Sequence, residues 1–320
     1  MESGACMLGT STPLFAKTLS WKYAHLPSQK VQEDLEQNHF RKVSRSHIQE
    51  VSYLVGEKML EQETEIDYCH GVKKELVQAV SIGRDGAMLK LIDGNYREAM
   101  AGTLSLLGSE REVLHTIYIG DQPEYGKVGF DTLMRNEISQ LKSEFGHLPW
   151  SAVADGAKHN WTFLEEHVET QIIDWWHAWE YIRAGFSVIY SASKVEKEVQ
   201  KWTTRLKKEE HSIVKLKKLF KKYDRKLKKE QKSSETLEKT ITYLSNHHHQ
   251  MNYAYYLKQG LLIGSGVTES ACKTLIKSRF CGCGMEWKKE NTRLLLLNRS
   301  LALTNNRWNQ AWTFMTKTAA

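Results

Sequence analysis

The sequence predicts an α/β protein: a mixed sheet flanked by helices, with an all-helical insertion and a helical region ahead of the sheet. Three observations predict it. Runs rich in β-branched and aromatic residues cluster between Val77 and Ile119. Helical and strand-like patterns then alternate as far as Tyr190. From Ser191 to about Leu257 the β signal stops, and apolar residues recur only at helical spacing. With 320 residues, 41% hydrophobic and 26% charged, the chain can build one large or two modest domains with a sizeable core.

The first elements are helical. Ser28 to Gln37 places Val31 and Leu35 on one face, and a polar turn through Asn38 to Lys42 follows. Ser44, a plausible N-cap, opens a second helix with Ile48, Val51 and Val55 at helical spacing. The pair resembles a helix-turn-helix that would offer Arg45, Ser46, His47 and Gln49 to DNA, although any helical hairpin reads the same way. Val77 to Ile82, Met88 to Ile92, Ala99 to Leu107 and Val113 to Ile119 then read as strands in antiparallel hairpins. A helix from Phe130 to Phe145 leads to a short buried strand, Ser151 to Ala154. After it come a helix near Trp161 to His167, a strand at Gln171 to Trp175 and a helix from His177 to Tyr190.

Three strands, a helix, a strand, a helix, a strand and a helix is the element order of a ribonuclease-H-like fold. In that order the first strand lies beside the strand after the first helix, which would join Asp85 to Asp155 across 70 positions. The insertion carries one stripe through Val195, Val199, Trp202 and Leu206, and another through Ile213, Leu216, Phe220, Tyr223 and Leu227, and reads as a helical hairpin. These stripes predict dimerisation. Beyond Gly260 a Gly-Ser-Gly turn, a helix from Thr268 to about Phe280, a Cys-Gly-Cys-Gly turn and a helix through Leu294 to Leu303 complete the chain. The resulting division is 1–75, a DNA-binding helical region; 76–190, the first part of a catalytic core; 191–257, the basic insertion; and 258–320, the rest of the core.

Three acidic residues stand in distinctive settings: Asp85 in Ser81-Ile-Gly-Arg-Asp-Gly86, Asp155 in Ala152-Val-Ala-Asp-Gly-Ala-Lys158, and Glu269 in Ile263-Gly-Ser-Gly-Val-Thr-Glu269. Carboxylates are the donors that hard divalent cations take, with positions left for water and substrate phosphate. Two Mg²⁺ or Mn²⁺ ions about 3.5 to 4 Å apart serve phosphodiester cleavage and transfer. Asp85 would bridge them, with Asp155 and Glu269 each favouring one. The alternative for Glu269 is an acid favoured by the dipole of its helix. In Asp174-Trp-Trp-His177 the imidazole would act as a phosphate donor near the same site; alternatively Asp174 caps a helix and His177 packs under Trp179. Lys273, Lys277, Arg279, Trp287, Lys288 and Lys289, and Lys158 with Asn160, are of the types that contact phosphates and stack on bases.

Net charge is +7, concentrated between Lys194 and Lys239, where about 17 Lys or Arg face about 8 Asp or Glu. Such an arm suits a polyanion, or is a solvated helical face. The five cysteines, Cys6, Cys69, Cys272, Cys281 and Cys283, lack a second pair to complete a zinc set and read as reduced thiols. His247-His248-His249 reads as a solvated helical face rather than a metal site. No run approaches the roughly 18 apolar residues of a membrane span, and Met1 to Pro13 lacks the features of a leader. A cytoplasmic, nucleoid-associated protein is expected.

Taken together, these motifs resemble the DDE-type transposases of bacterial insertion sequences, most closely the ISKra group. The likeness runs from Ser20 to Trp312 through Ser20-Trp-Lys-Tyr-Ala-His25, Val80-Ser-Ile-Gly-Arg-Asp-Gly86, Tyr96-Arg-Glu-Ala-Met100 and Tyr118-Ile-Gly-Asp-Gln-Pro-Glu-Tyr-Gly-Lys127. It continues through Ala154-Asp-Gly-Ala-Lys158, Ile173-Asp-Trp-Trp-His-Ala178, His249-Gln-Met-Asn-Tyr253 and Gly264-Ser-Gly-Val-Thr-Glu-Ser-Ala-Cys-Lys-Thr-Leu275. The resemblance implies that Asp85, Asp155 and Glu269 form the metal-binding triad. It also implies that the helical segment is the insertion domain of related transposases, and that Asp174-x-x-His177 matches the Cys/Asp-x-x-His motif of Mutator-like relatives. Leu262 replaces an expected proline and Cys283 an expected serine. Members of the group often carry further residues upstream, including cysteine pairs that look zinc-binding, so a truncated copy is one expectation.

The function so implied is binding of element ends in double-stranded DNA, cleavage, and joining of 3′-hydroxyls to target DNA by a homodimer or higher assembly. The alternatives are a ribonuclease-H-like nuclease or resolvase, and a non-catalytic DNA-binding remnant.

Overall fold

The computed structural model describes residues 8–318, so Cys6 and the extreme N-terminal residues lie outside it. Three helices come first: α1 (Pro13–His25), α2 (Ser28–His39) and α3 (Arg45–Gln62). Helix α1 was not legible in the pattern, yet Thr12 caps it and Pro13 opens it in the position where a missing N–H is harmless. Ser44 does cap α3, its Oγ accepting from the His47 N–H at 3.2 Å.

The sheet has strands β1 (Ala79–Lys90), β2 (Tyr96–Leu107), β3 (Val113–Asp121), β4 (Trp150–Ala154) and β5 (Thr170–Ile173), in the order β3-β2-β1-β4-β5. The β1–β2 and β2–β3 pairs are antiparallel, and β4 runs parallel to both β1 and β5. This is a mixed, open sheet. The expected adjacency holds: Ile82 lies opposite Ala152, so Asp85 and Asp155, each three residues on, arrive together. The runs at 77–82 and 88–92 are one strand rather than two, and Asp85 lies within it, paired with Ala101.

Helices α4 (Val128–Phe145), α5 (Lys158–Leu164) and α6 (Trp175–Ile189) alternate with β4 and β5. The insertion comprises α7 (Ala192–Lys208), α8 (Ser212–Lys229) and α9 (Glu235–His247), three helices where a hairpin was expected, followed by α10 (Tyr253–Lys258). Its apolar stripes are not free for a second subunit. Val195, Val199, Trp202, Leu206, Ile213, Leu216 and Phe220 are buried in the same core as the sheet and α6. The lysines occupy the outer faces.

After α10 come α11 (Gly266–Ala271), a π-helical turn (Cys272–Lys277), α12 (Ser278–Phe280), α13 (Lys289–Leu303) and α14 (Arg307–Thr318). Alternation along β2 separates two cores: Met100, Leu104 and Leu106 face α4, whereas Ala99 and Ala101 face the π-helical turn and α13. Helices α1 to α3 share that second core with α13 and α14. Among the described residues no helix is long and apolar enough to cross a membrane.

Candidate active site

Strand β1 delivers Asp85, and the turn after β4 delivers Asp155. The Asp85 Oδ1 accepts from the Gly86 N–H at 2.8 Å, and the buried Cys272 thiol, one turn beyond Glu269, lies beside its carboxylate. Burial, then the Asp85 charge, pushes that thiol far above its usual range, so it stays protonated. Asp155 closes a local turn, its Oδ1 accepting from the Ala157 N–H at 3.0 Å and lying 3.4 Å from Asn160 Nδ2.

Asp174 is 1% exposed and caps α6, as its alternative reading supposed. Its Oδ1 accepts from the Trp176 and His177 N–H groups at 2.7 and 2.9 Å. The other oxygen accepts from the Ser265 N–H, and the Trp175 N–H donates to Ile263 O at 2.9 Å. A single buried carboxylate thus fastens the glycine turn leading to Glu269 onto the end of β5. His177 does not pack under Trp179; half exposed, it turns Nδ1 to within 3.8 Å of Glu180 Oε2.

Glu269 stands in the first turn of α11, with its side chain 57% exposed and its Oε1 2.7 Å from Lys273 Nζ. Asp85, Asp155, Asp174, His177, Glu180 and Glu269 line one cavity of about 170 Å³. Trp176, 61% exposed, stands at its edge. Among the described residues, no three His, Cys, Asp or Glu groups converge closely enough to hold one ion. The donor set nevertheless suits a hard cation: carboxylates ring one pocket, and the Glu269 head is exposed enough to leave Lys273 by side-chain rotation. A larger cavity, about 350 Å³, lies where Glu63, Tyr68, Glu137 and Arg307 meet, and touches none of the three motif carboxylates.

The expected nucleic-acid contacts divide by burial. Lys158, Lys273, Lys277 and Lys288 are exposed, the first opening α5 three residues after Asp155. Arg279 and Trp287 are not available. Arg279 is 2% exposed, with its guanidinium over the Tyr23 and Trp287 rings and its Nε donating to Tyr23 O, while Trp287 is 8% exposed and donates to Phe280 O. Both hold the C-terminal segment to α1 and β1. In the proposed helix-turn-helix, Arg45 is exposed, whereas His47 and Gln49 are partly buried and His47 lies 3.1 Å from Ser11 Oγ.

The triple histidine is only partly a solvated face. His247 Nδ1 lies 2.9 Å from Gln250 Oε1, and a Cβ on Gly156 would stand 2.9 Å from the Tyr243 ring and 3.2 Å from His247 Nε2. Glycine at 156 therefore lets α9 of the insertion rest on the turn that carries Asp155. Sequence reasoning missed Trp176, Cys272, Thr268 and Gly83. All four lie inside motifs that were recognised for their charged members, so the signal was present but carried no charge. Compared with known proteins, the chain matches no family model and no curated protein.

Proposed function

We propose that the chain is a DDE-type DNA transposase on a ribonuclease-H-like core. The observation that carries the reading is the meeting of Asp85, Asp155 and Glu269, drawn from three distant motifs, around one cavity at the junction of β1 and β4. The sheet order and the direction of each strand pair support it. Asp85, Asp155 and Glu269 would hold two Mg²⁺ or Mn²⁺ ions, which when bound activate a water or 3′-hydroxyl and offset charge on the leaving oxygen. His177 donates to the scissile phosphate, Lys158, Lys273 and Lys277 neutralise neighbouring phosphates, and exposed Trp176 offers a face to a base. The lysine-rich outer faces of α7 and α8 track the flanking duplex.

The test is Mg²⁺-dependent nicking and strand transfer on DNA carrying candidate element ends, with Asp155→Asn and Glu269→Gln beside wild type. Loss of both reactions with DNA binding retained is the expected result. Cleavage without joining would indicate a nuclease or resolvase, and binding without cleavage a DNA-binding remnant. Assembly into a dimer that holds two ends belongs to the same proposal, with the α7 and α8 stripes excluded as its interface.

A further inference from the structure

We infer that Thr268, seated on Gly83 and Thr103, is the positioning residue that sets Glu269 against Asp85. The inference rests on the metal-site reading above. Thr268 and Thr103 are 4% and 2% exposed, and their hydroxyls lie 2.8 Å apart. Thr103 stands opposite Gly83 in the β1–β2 register. A Cβ on Gly83 would come within 1.8 Å of Thr268 Oγ1 and 3.0 Å of Thr103 Oγ1, so only glycine lets the start of α11 lie directly on β1. Gly83 and Asp85, two residues apart on one strand, share a face. The contact therefore links a point beside the first carboxylate to the residue immediately before the third.

A second tie lies beyond Glu269, where the buried Cys272 side chain packs beside Asp85 as the helix widens into its π-helical turn. Such local widening recurs at functional sites because it re-aims neighbouring residues. The Glu269 backbone is thus pinned on both sides while its carboxylate stays exposed beside Lys273. A fixed Cα with a movable head lets the carboxylate swing onto a cation at a set distance from Asp85. Metal sites require placement to within about 0.5 Å, which hydrophobic packing of a six-residue helix alone supplies poorly.

The experiment uses the full chain. Thr268→Val keeps the shape and removes the hydroxyl, Thr268→Ser keeps the hydroxyl, and Thr103→Val removes the same pair from the strand side. Mn²⁺ binding is measured by calorimetry, with Asp85→Asn and Glu269→Gln as controls, alongside kcat and KM for nicking and the melting point without metal. Thr268→Val and Thr103→Val should each weaken Mn²⁺ binding at least tenfold and lower kcat with KM for DNA unchanged, and Thr268→Ser should stay near wild type. Either valine variant, if folded, binding Mn²⁺ and cutting like wild type overturns the inference, as does Thr268→Ser being as impaired as Thr268→Val. Should Asp85→Asn and Glu269→Gln leave Mn²⁺ binding untouched, the carboxylate reading itself falls and takes the inference with it.

Discussion

The Glu269 carboxylate is shared between two claims, because the Lys273 ammonium 2.7 Å away occupies the position a cation would take. Both side chains are more than half exposed, so the pair contributes at most about 1 kcal/mol. Lys273→Ala should therefore lower the Mg²⁺ concentration for half-maximal cleavage by up to about fivefold while weakening DNA binding; an unchanged or higher Mg²⁺ requirement would refute the competition between Lys273 and the cation. Asp174 has the opposite character. Removing its three backbone contacts in Asp174→Ala should cost about 2 to 4 kcal/mol in urea denaturation, and a loss below about 1 kcal/mol would refute its fastening role. At this scale the three carboxylates were legible because each sits beside glycine or a hydroxyl residue in a short motif. Arg279 and Trp287 were misread for a physical reason: a cation and an indole look the same in sequence whether they face DNA or enclose each other.

Among elements, the π-helical turn depends on Arg299 of α13. Arg299 is 3% exposed, and its Nε donates to Leu275 O at 2.8 Å while its other nitrogens donate to Thr274 O and Ala24 O. Two of these carbonyls, those of Thr274 and Leu275, belong to the π-helical turn, and no carboxylate is among the bonded partners of Arg299. Burial pushes the guanidinium down to about 10, still charged at neutral pH. Arg299→Met leaves those carbonyls unpaired and should lower unfolding stability by about 2 to 4 kcal/mol. In the insertion, Trp202→Ala should cost about 3 kcal/mol or more with no change in self-association measured by sedimentation, since the indole packs inside its own chain. Two of the insertion's three long helices were readable from period alone, but a stripe does not say whether its cover is the same chain or another copy. The fused β1 was unreadable because Gly83, Arg84, Asp85 and Gly86 interrupt its apolar pattern where the strand serves the cavity.

On the scale of the whole molecule, the cavity of about 350 Å³ is a seam joining α3, β3, α4, α13 and α14. Burial, and then the Glu137 charge, pushes the Glu63 carboxyl there up to about 7. Its unfolded value lies near 4.3. Below that value both states hold the proton and nothing changes. As pH rises toward 7 the unfolded state ionises while the folded state keeps its proton, so stability falls, with the loss complete above 7 at about 4 kcal/mol. Chemical denaturation at pH 5 and pH 8 should show this loss in wild type and a smaller one in Glu63→Gln; equal pH dependence in the two would disprove it. The mixed sheet and its flanking helices followed from the alternation of elements, but the seam did not, because it joins segments more than two hundred residues apart.

Strand β1 belongs to both cores: Val80 and Ile82 pack on one side of the molecule, and Ala87 and Leu89 on the other. Its central amides can exchange with solvent only when both cores open, which makes them reporters of global unfolding. Asp85 lies between those halves, so no partly folded form that releases either core retains an intact cleft.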